Sequence, residues 1–140
     1  MGDVLVRIIP LDTDRGTGQS QDFPRSIESK FSTAPIQEIP LPPGSLPGQS
    51  SLADIDGNGL IDLVIPNEGT GIESRRVEIH YQSPAGVFSW VEVIELPESR
   101  PKGVTVADFN ADNRLDLAVA NGGGGGVTIL PQQPVAAPPF

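Results

Sequence analysis

Most of the chemistry that this sequence offers is concentrated in two short windows. Six of its ten aspartates, Asp54, Asp56, Asp62, Asp108, Asp112 and Asp116, fall within them. Counting Asp54 as position 1, Asp56 stands at 3, Asn58 at 5, Gly59 at 6, Leu60 at 7 and Asp62 at 9. Asp108 leads in the same way to Asn110, Asp112, Asn113, Arg114 and Asp116. Oxygen-bearing side chains therefore recur at positions 1, 3, 5 and 9 of both windows. A tightly coiled loop with that spacing turns alternate side chains inward. The backbone carbonyl at position 7, of Leu60 or Arg114, and water would complete the shell of about six to eight oxygens that Ca²⁺ accepts. Mg²⁺ suits such a loop less well, because it gives up water reluctantly and demands an ideal octahedron. Position 6 must turn sharply, which Gly59 does freely and Asn113 tolerates better than most residues. Two Ca²⁺ sites are the expectation. The competing reading is a pair of Asx-stabilised turns that bind nothing, since Asp and Asn favour turns for purely local reasons. Four oxygen positions repeated at fixed spacing are more than turn chemistry needs.

Other chemistries fail on composition or spacing. An EF-hand needs Glu at position 12, where this chain has Ile65 and Val119 inside β-like runs, and a dockerin-type helix pair fails with it. With a single histidine, His80, and no cysteine, neither a nucleophile–histidine triad nor a thiolate metal site can be assembled. His80 reads as an ordinary strand residue, and Trp90 and Tyr81 as strand packing rather than a sugar platform. The glycine run 122–126 precedes a strand and lacks a lysine, so it reads as a hairpin connection and not a phosphate loop. Nine basic against 18 acidic residues, a net charge of −9, leave no basic patch for nucleic acid. Asp3, Arg7 and Pro10 interrupt the N-terminal apolar run, which is too short and too charged for a membrane span or a signal core. No catalysis is expected.

The elements that must hold the two loops follow from a repeat. Laid on itself at an offset of 54 residues, the separation of Asp54 and Asp108, the segment Ser51–Asn67 runs parallel to Thr105–Asn121. Ala53/Ala107, Asp54/Asp108, Asp62/Asp116, Leu63/Leu117 and Asn67/Asn121 are identical across the pair, and Pro47/Pro101 match just upstream. Sixteen Gly and 15 Pro disfavour long helices and suit short strands joined by tight turns. Each period reads as four strands with an acidic loop between the first and second: Ser51–Leu52, Leu63–Ile65, Val77–Tyr81 and Ser89–Leu96 in one copy. Val104–Val106, Leu117–Val119 and Val127–Leu130 are their counterparts in the next. The last strand of the first copy, with Trp90, Glu92 and Ile94 on one face and Val91, Val93 and Glu95 on the other, suits an outer strand with both faces partly covered. Val4–Ile9 and Ile36–Ile39 resemble a third and fourth strand, separated by a polar insertion over 12–30.

The fold expectation is therefore all-β: propeller-like blades of four antiparallel strands, about two and a half of them per chain. Residues 1–46 form a half blade with its insertion and a Pro-rich connector from Pro40 to Pro47. Residues 47–100 form a full repeat, and 101–140 a second repeat that stops near Phe140, before its fourth strand. Four such periods exceed this length, so closure is expected either in a longer protein or between chains. The edge Val127–Leu130 invites completion by another copy, which makes a homo-oligomer or polymer the expected assembly.

Ala53–Val64 and Val106–Gly122 resemble the VCBS/FG-GAP repeats of secreted bacterial proteins and of the integrin α head, which form calcium-loaded β-propellers. The likeness covers about residues 47–140, and 3–42 more weakly. Gly86-Val87-Phe88 is closer to the VCBS form than to the Phe-Gly and Gly-Ala-Pro elements of the FG-GAP form. By that likeness Asp54, Asp56, Asn58, Asp62, Asp108, Asn110, Asp112 and Asp116 would be calcium ligands. It further implies a secreted or cell-surface protein whose export signal lies outside this chain. The implied role is that of a calcium-stabilised module for adhesion, ligand display or self-assembly, with protein or carbohydrate as possible ligand. The alternative is an ancillary segment of a larger secreted carbohydrate-active enzyme or lectin.

Overall fold

The computed structural model describes residues 4–9, 31–34, 36–71 and 75–135. Among them every regular element is a β-strand, and no helix is long and apolar enough to cross a membrane. The polar insertion over 12–30 and Phe140 lie outside the described residues. The chain divides into two compact units, Met1–Pro43 and Gly44–Phe140.

The first unit contains one antiparallel pair, β1 (Val4–Ile8) and β2 (Gln37–Leu41), with Val4 opposite Leu41 and Ile8 opposite Gln37. Ile36 N–H donates to the Ile8 carbonyl at 2.8 Å and closes the ladder. An exposed ion pair joins Arg7 to Glu38 at 3.0 Å and contributes little in water. The expected polyproline connector needs correction at its start, because Pro40 and Leu41 belong to β2. A strand with only one partner has a free edge, and such a strand tolerates proline's missing donor.

The second unit holds two antiparallel meanders. β3 (Ser51–Ala53), β4 (Asp62–Asn67), β5 (Arg76–Gln82) and β6 (Phe88–Glu95) pair in chain order, and so do β7 (Pro101–Ala107), β8 (Asp116–Asn121) and β9 (Val127–Leu130). The repeat is visible in the register: Ala53 faces Asp62 as Ala107 faces Asp116, and Leu52 faces Leu63 as Val106 faces Leu117. β4 is buried at every position, as the near-continuous apolar run Leu63-Val64-Ile65 requires. The core draws Ile55, Val64, Val77 and Ile79 from the first meander and Val104, Leu117 and Val119 from the second. The two sheets thus share one apolar layer, in which each fully buried Val or Ile contributes about 1.5–3 kcal/mol. β6 is the outer strand that was expected, but it is less covered than its pattern suggested. Only Phe88 and Ile94 are half-buried and its other residues are exposed, because it is the outermost strand of its sheet.

Two groups of charged side chains off this layer are paired. On the face of β5 opposite the core, His80 Nε2–H donates to Glu78 Oε2 at 2.9 Å and Arg76 Nε approaches Glu78 Oε1 at 2.8 Å. Burial alone would raise the Glu78 carboxyl, but His80 and Arg76 outweigh it and hold the group below the usual carboxylate range. His80 is accordingly a structural strand residue. The buried Glu68, just after β4, takes Arg100 Nε on Oε1 at 2.8 Å and Lys102 Nζ on Oε2, a three-residue link to the start of β7.

The segment preceding β3 stitches the sheets together. Gly48 N–H donates to the Pro66 carbonyl at 2.8 Å, and Gln49 N–H to the Lys102 carbonyl at 2.8 Å. The Gln49 carbonyl in turn accepts from Val104 N–H at 3.1 Å. Gln49 and Gly103 form a parallel bridge across which β4 and β7 are joined.

Candidate metal centre

Both acidic loops are built on the same plan, one carboxylate at a time. Asp54 follows β3 and turns its carboxylate over the loop, accepting Asn58 N–H on Oδ1 at 3.0 Å and Gly59 N–H on Oδ2 at 2.8 Å. Asp56 Oδ1 also accepts Asn58 N–H, at 3.2 Å, and its Oδ2 accepts the Asn58 side-chain amide at 3.1 Å. Asn58 Oδ1 accepts Leu60 N–H at 2.8 Å. In the second loop Asp108 takes Asp112 N–H at 3.1 Å and Asn113 N–H at 2.8 Å, Asn110 shares Asp112 N–H at 3.1 Å, and Asp112 takes Arg114 N–H at 2.9 Å. Burial opposes the charged form of Asp108, yet the backbone N–H groups of Asn113, Asp112, Ala111 and Asn110 hold its carboxyl below the usual range.

Coiling of this kind needs left-handed residues at two places. Gly59 and Asn113 have φ of 88° and 68°, as position 6 was expected to need. Position 4 does the same at Gly57 and Ala111, with φ of 75° and 61°. Sequence reasoning missed this second turn, because Ala111 carries no sign of it and pays roughly 1–2 kcal/mol for the conformation. Gly57 was the available signal.

Asp62 and Asp116 have a further role that spacing did not reveal. Asp62 begins β4, is fully buried, and accepts Ile55 N–H on Oδ2 at 2.8 Å and Gln82 N–H on Oδ1 at 3.0 Å. Asp116 does likewise with Phe109 N–H at 2.9 Å and Gln132 N–H at 2.9 Å. Each carboxylate therefore clamps its loop to the end of the strand two places along, β5 or β9. Gln82 and Gln132 are the partners that sequence alone did not find.

The structure does not treat the two loops alike. In the first, one carboxylate oxygen each from Asp54, Asp56 and Asp62 lie within 4.8 Å of one another. These three negative groups would hold a hard cation, and every oxygen, having accepted one N–H, keeps a lone pair for it. Among the described residues no second such group of three forms. The counterpart of Asp56 is Asn110, and the third carboxylate of the second loop, Asp112, stands two positions later, where the first loop has Asn58. Arg114 moreover points its guanidinium at the loop: Nη2 donates to Asp112 Oδ2 at 2.6 Å and Nε to the Gln132 carbonyl at 3.2 Å. A fixed cation thus already occupies one oxygen of Asp112. The remaining expected position, Leu60, is half-buried on the rim of the first loop.

Neither a curated protein nor a solved structure matches the chain. A family model does, over the stretch that runs from the first acidic loop through β4, β5, β6, β7 and the second loop into β8. Residues 54–119 match the model of an FG-GAP-like repeat.

Proposed function

We propose that this chain is a calcium-stabilised β-repeat module of an extracellular protein, working in adhesion or ligand display and not in catalysis. The observation that carries the reading is the convergence of Asp54, Asp56 and Asp62 within 4.8 Å inside an FG-GAP-like repeat. An all-oxygen, triply negative donor set on a coiled loop selects a hard divalent ion, and the flexible coordination of Ca²⁺ suits it better than the strict octahedron of Mg²⁺. The ion's work is structural. It cancels the mutual repulsion of the three carboxylates and reinforces the junction of β3 and β4, which already pair in the sheet and share the Asp62 clamp. Asp108, Asn110, Asp112 and Asp116 form the weaker second site, because Arg114 competes for it. In this reading the two meanders are successive propeller-type blades, and the module sits where millimolar calcium makes an affinity on the order of 10⁻⁴–10⁻³ M sufficient.

Thermal unfolding tests it. At a calcium concentration about 10 to 100 times the dissociation constant, chelator-treated protein is expected to gain about 1.4–2.7 kcal/mol, because an ion that binds only the folded state stabilises it by mass action. Asp54→Ala should remove most of that gain, Asp108→Ala a smaller part, and magnesium should supply little of it. Identical melting curves with calcium and with chelator would reduce both loops to turns.

The open edge of β9 supports assembly as a second reading. Val127 and Ile129 are 63% and 49% exposed, and β9 carries no charged residue, whereas the outer strand β6 carries Glu92 and Glu95. Uncharged edges pair readily with other chains. Light scattering on the same samples should then give a mass above the 14.7 kDa of one chain; a strictly monomeric protein at all concentrations excludes it.

A further inference from the structure

Beside the metal loops, within the same unit, a groove of about 580 Å³ opens between the outer strands of the first meander and the end of the second. This is within the size range of small-ligand pockets, about 300–1,000 Å³. Its floor is apolar, from Ile79, Ile94 and Leu117. One wall is an aromatic stack: Trp90 lies over its cross-strand neighbour Tyr81, with centroids 4.7 Å apart and planes tilted by 31°. Trp90 is 62% exposed, so the outer face of the indole is open.

The polar groups around this face are held in place by bonds that leave one atom of each unspent. The Tyr81 hydroxyl donates to Glu92 Oε2 at 2.8 Å, so Glu92 Oε1 remains an acceptor. Burial, and then Glu92, push the Tyr81 hydroxyl up, so it stays protonated and keeps donating. Gln132 Nε2 donates to the Ile55 carbonyl at 3.0 Å, which turns its own Oε1 away from that bond. Arg114 spends Nη2 and Nε on Asp112 and Gln132, leaving Nη1 as a donor. All of these residues line the groove.

We propose that this groove binds a neutral saccharide, with one pyranose stacked on the outer face of Trp90 and its hydroxyls paired with Glu92, Gln132 and Arg114. A sugar ring has an apolar C–H face, which suits an open indole, and a polar edge. Each hydroxyl both donates and accepts, which matches a rim that mixes two acceptors with one donor. An apolar strand laid in the groove would leave those fixed polar groups buried and unpaired, at about 1–3 kcal/mol each. An anionic ligand would meet Asp56 and Glu92 on a chain of net charge −9. The contacts to the ligand run through none of Asp54, Asp56 or Asp62, so the groove does not depend on an ion in the first loop; Arg114 is shared with the second loop, where it already holds Asp112.

Trp90 is the sole tryptophan, so its emission reports on the groove directly. The full chain, titrated with cellohexaose, xylohexaose, mannohexaose and maltohexaose, is expected to show a saturable change in emission with at least one of them. That change should be the same in calcium and in chelator at a temperature where both forms are folded. Hexagalacturonate should have no effect. Glu92→Ala and Gln132→Ala, which keep the reporter, should each weaken binding by about tenfold. Trp90→Ala should abolish retention of the protein in gels containing the corresponding polysaccharide, with its melting temperature unchanged. No response to any of the neutral sugars, a response to hexagalacturonate alone, or undiminished binding in all three variants would overturn the proposal. A failure of the calcium titration alone would leave the saccharide result to be read by itself.

Discussion

Asp62→Ala is expected to lower the free energy of unfolding by about 3–5 kcal/mol in chelator, and by more in calcium, because the ion loses one of its three carboxylates as well. The carboxylate is fully buried, and its two oxygens accept N–H groups from opposite ends of the repeat, Ile55 at the loop's start and Gln82 at the end of β5. Hydrogen bonds to a charged acceptor are worth about 1.5–3 kcal/mol each, and truncation leaves two donors without partners where water does not reach readily. Asp62→Asn keeps one accepting oxygen but sets its own N–H₂ against the other donor, so about half of the loss should remain. Asp116→Ala should behave in the same way in the second meander, through Phe109 and Gln132. Urea unfolding followed by circular dichroism, with and without chelator, measures these losses. If Asp62→Ala matters only when calcium is present, then its carboxylate acts as a ligand alone and the clamp is wrong.

Gly48→Ala is the other substitution with a large expected cost, about 3 kcal/mol. A Cβ at this position would lie 1.9 Å from the Lys102 carbonyl oxygen and 2.6 Å from its carbon, both of them backbone. No side chain can move to make room. The segment must withdraw from β7, and with it go the bonds from Gln49 N–H to Lys102 and from Val104 N–H to Gln49, which join the two sheets. Gly71→Ala is the matching control, because a Cβ there meets nothing within 4 Å, and it should stay within about 0.5 kcal/mol of the parent. Equal midpoints of urea unfolding for the two variants would show that the close approach at Gly48 is not what locks the sheets.

Much of the architecture was legible because it is local. Val77 and Ile79 alternate with Glu78 and His80, and β5 does place the first pair in the core and the second on the other face. The 54-residue offset between the acidic windows reappears as identical register, Ala53 on Asp62 and Ala107 on Asp116. The turn at Gly59 and Asn113 was legible because position 6 of such a loop admits few residue types. β6 was read correctly as an outer strand, but its cover was not, because period-2 alternation is the same whether the faces of a strand are covered or open. That difference is made by a neighbouring strand, which no residue of β6 encodes.

By itself the sequence determined the all-β class, the repeat, and the spacing that coils Asp54–Asp62 and Asp108–Asp116 into loops, since each of these rests on residues within a few positions of one another. Only the tertiary structure decided which oxygens meet. Asp62 is bound to Gln82 and Asp116 to Gln132 because β4 and β8 each pair with the following strand, a contact between residues far apart in the chain. It also separated two loops that look equivalent on paper: three carboxylates converge in the first, while in the second the third carboxylate, Asp112, stands at position 5 and is occupied by the Arg114 guanidinium. The groove under Trp90 is tertiary in the same sense. Its two walls come from different sheets, and they are brought together by the core that Ile79 and Leu117 share, which spacing along the chain does not specify.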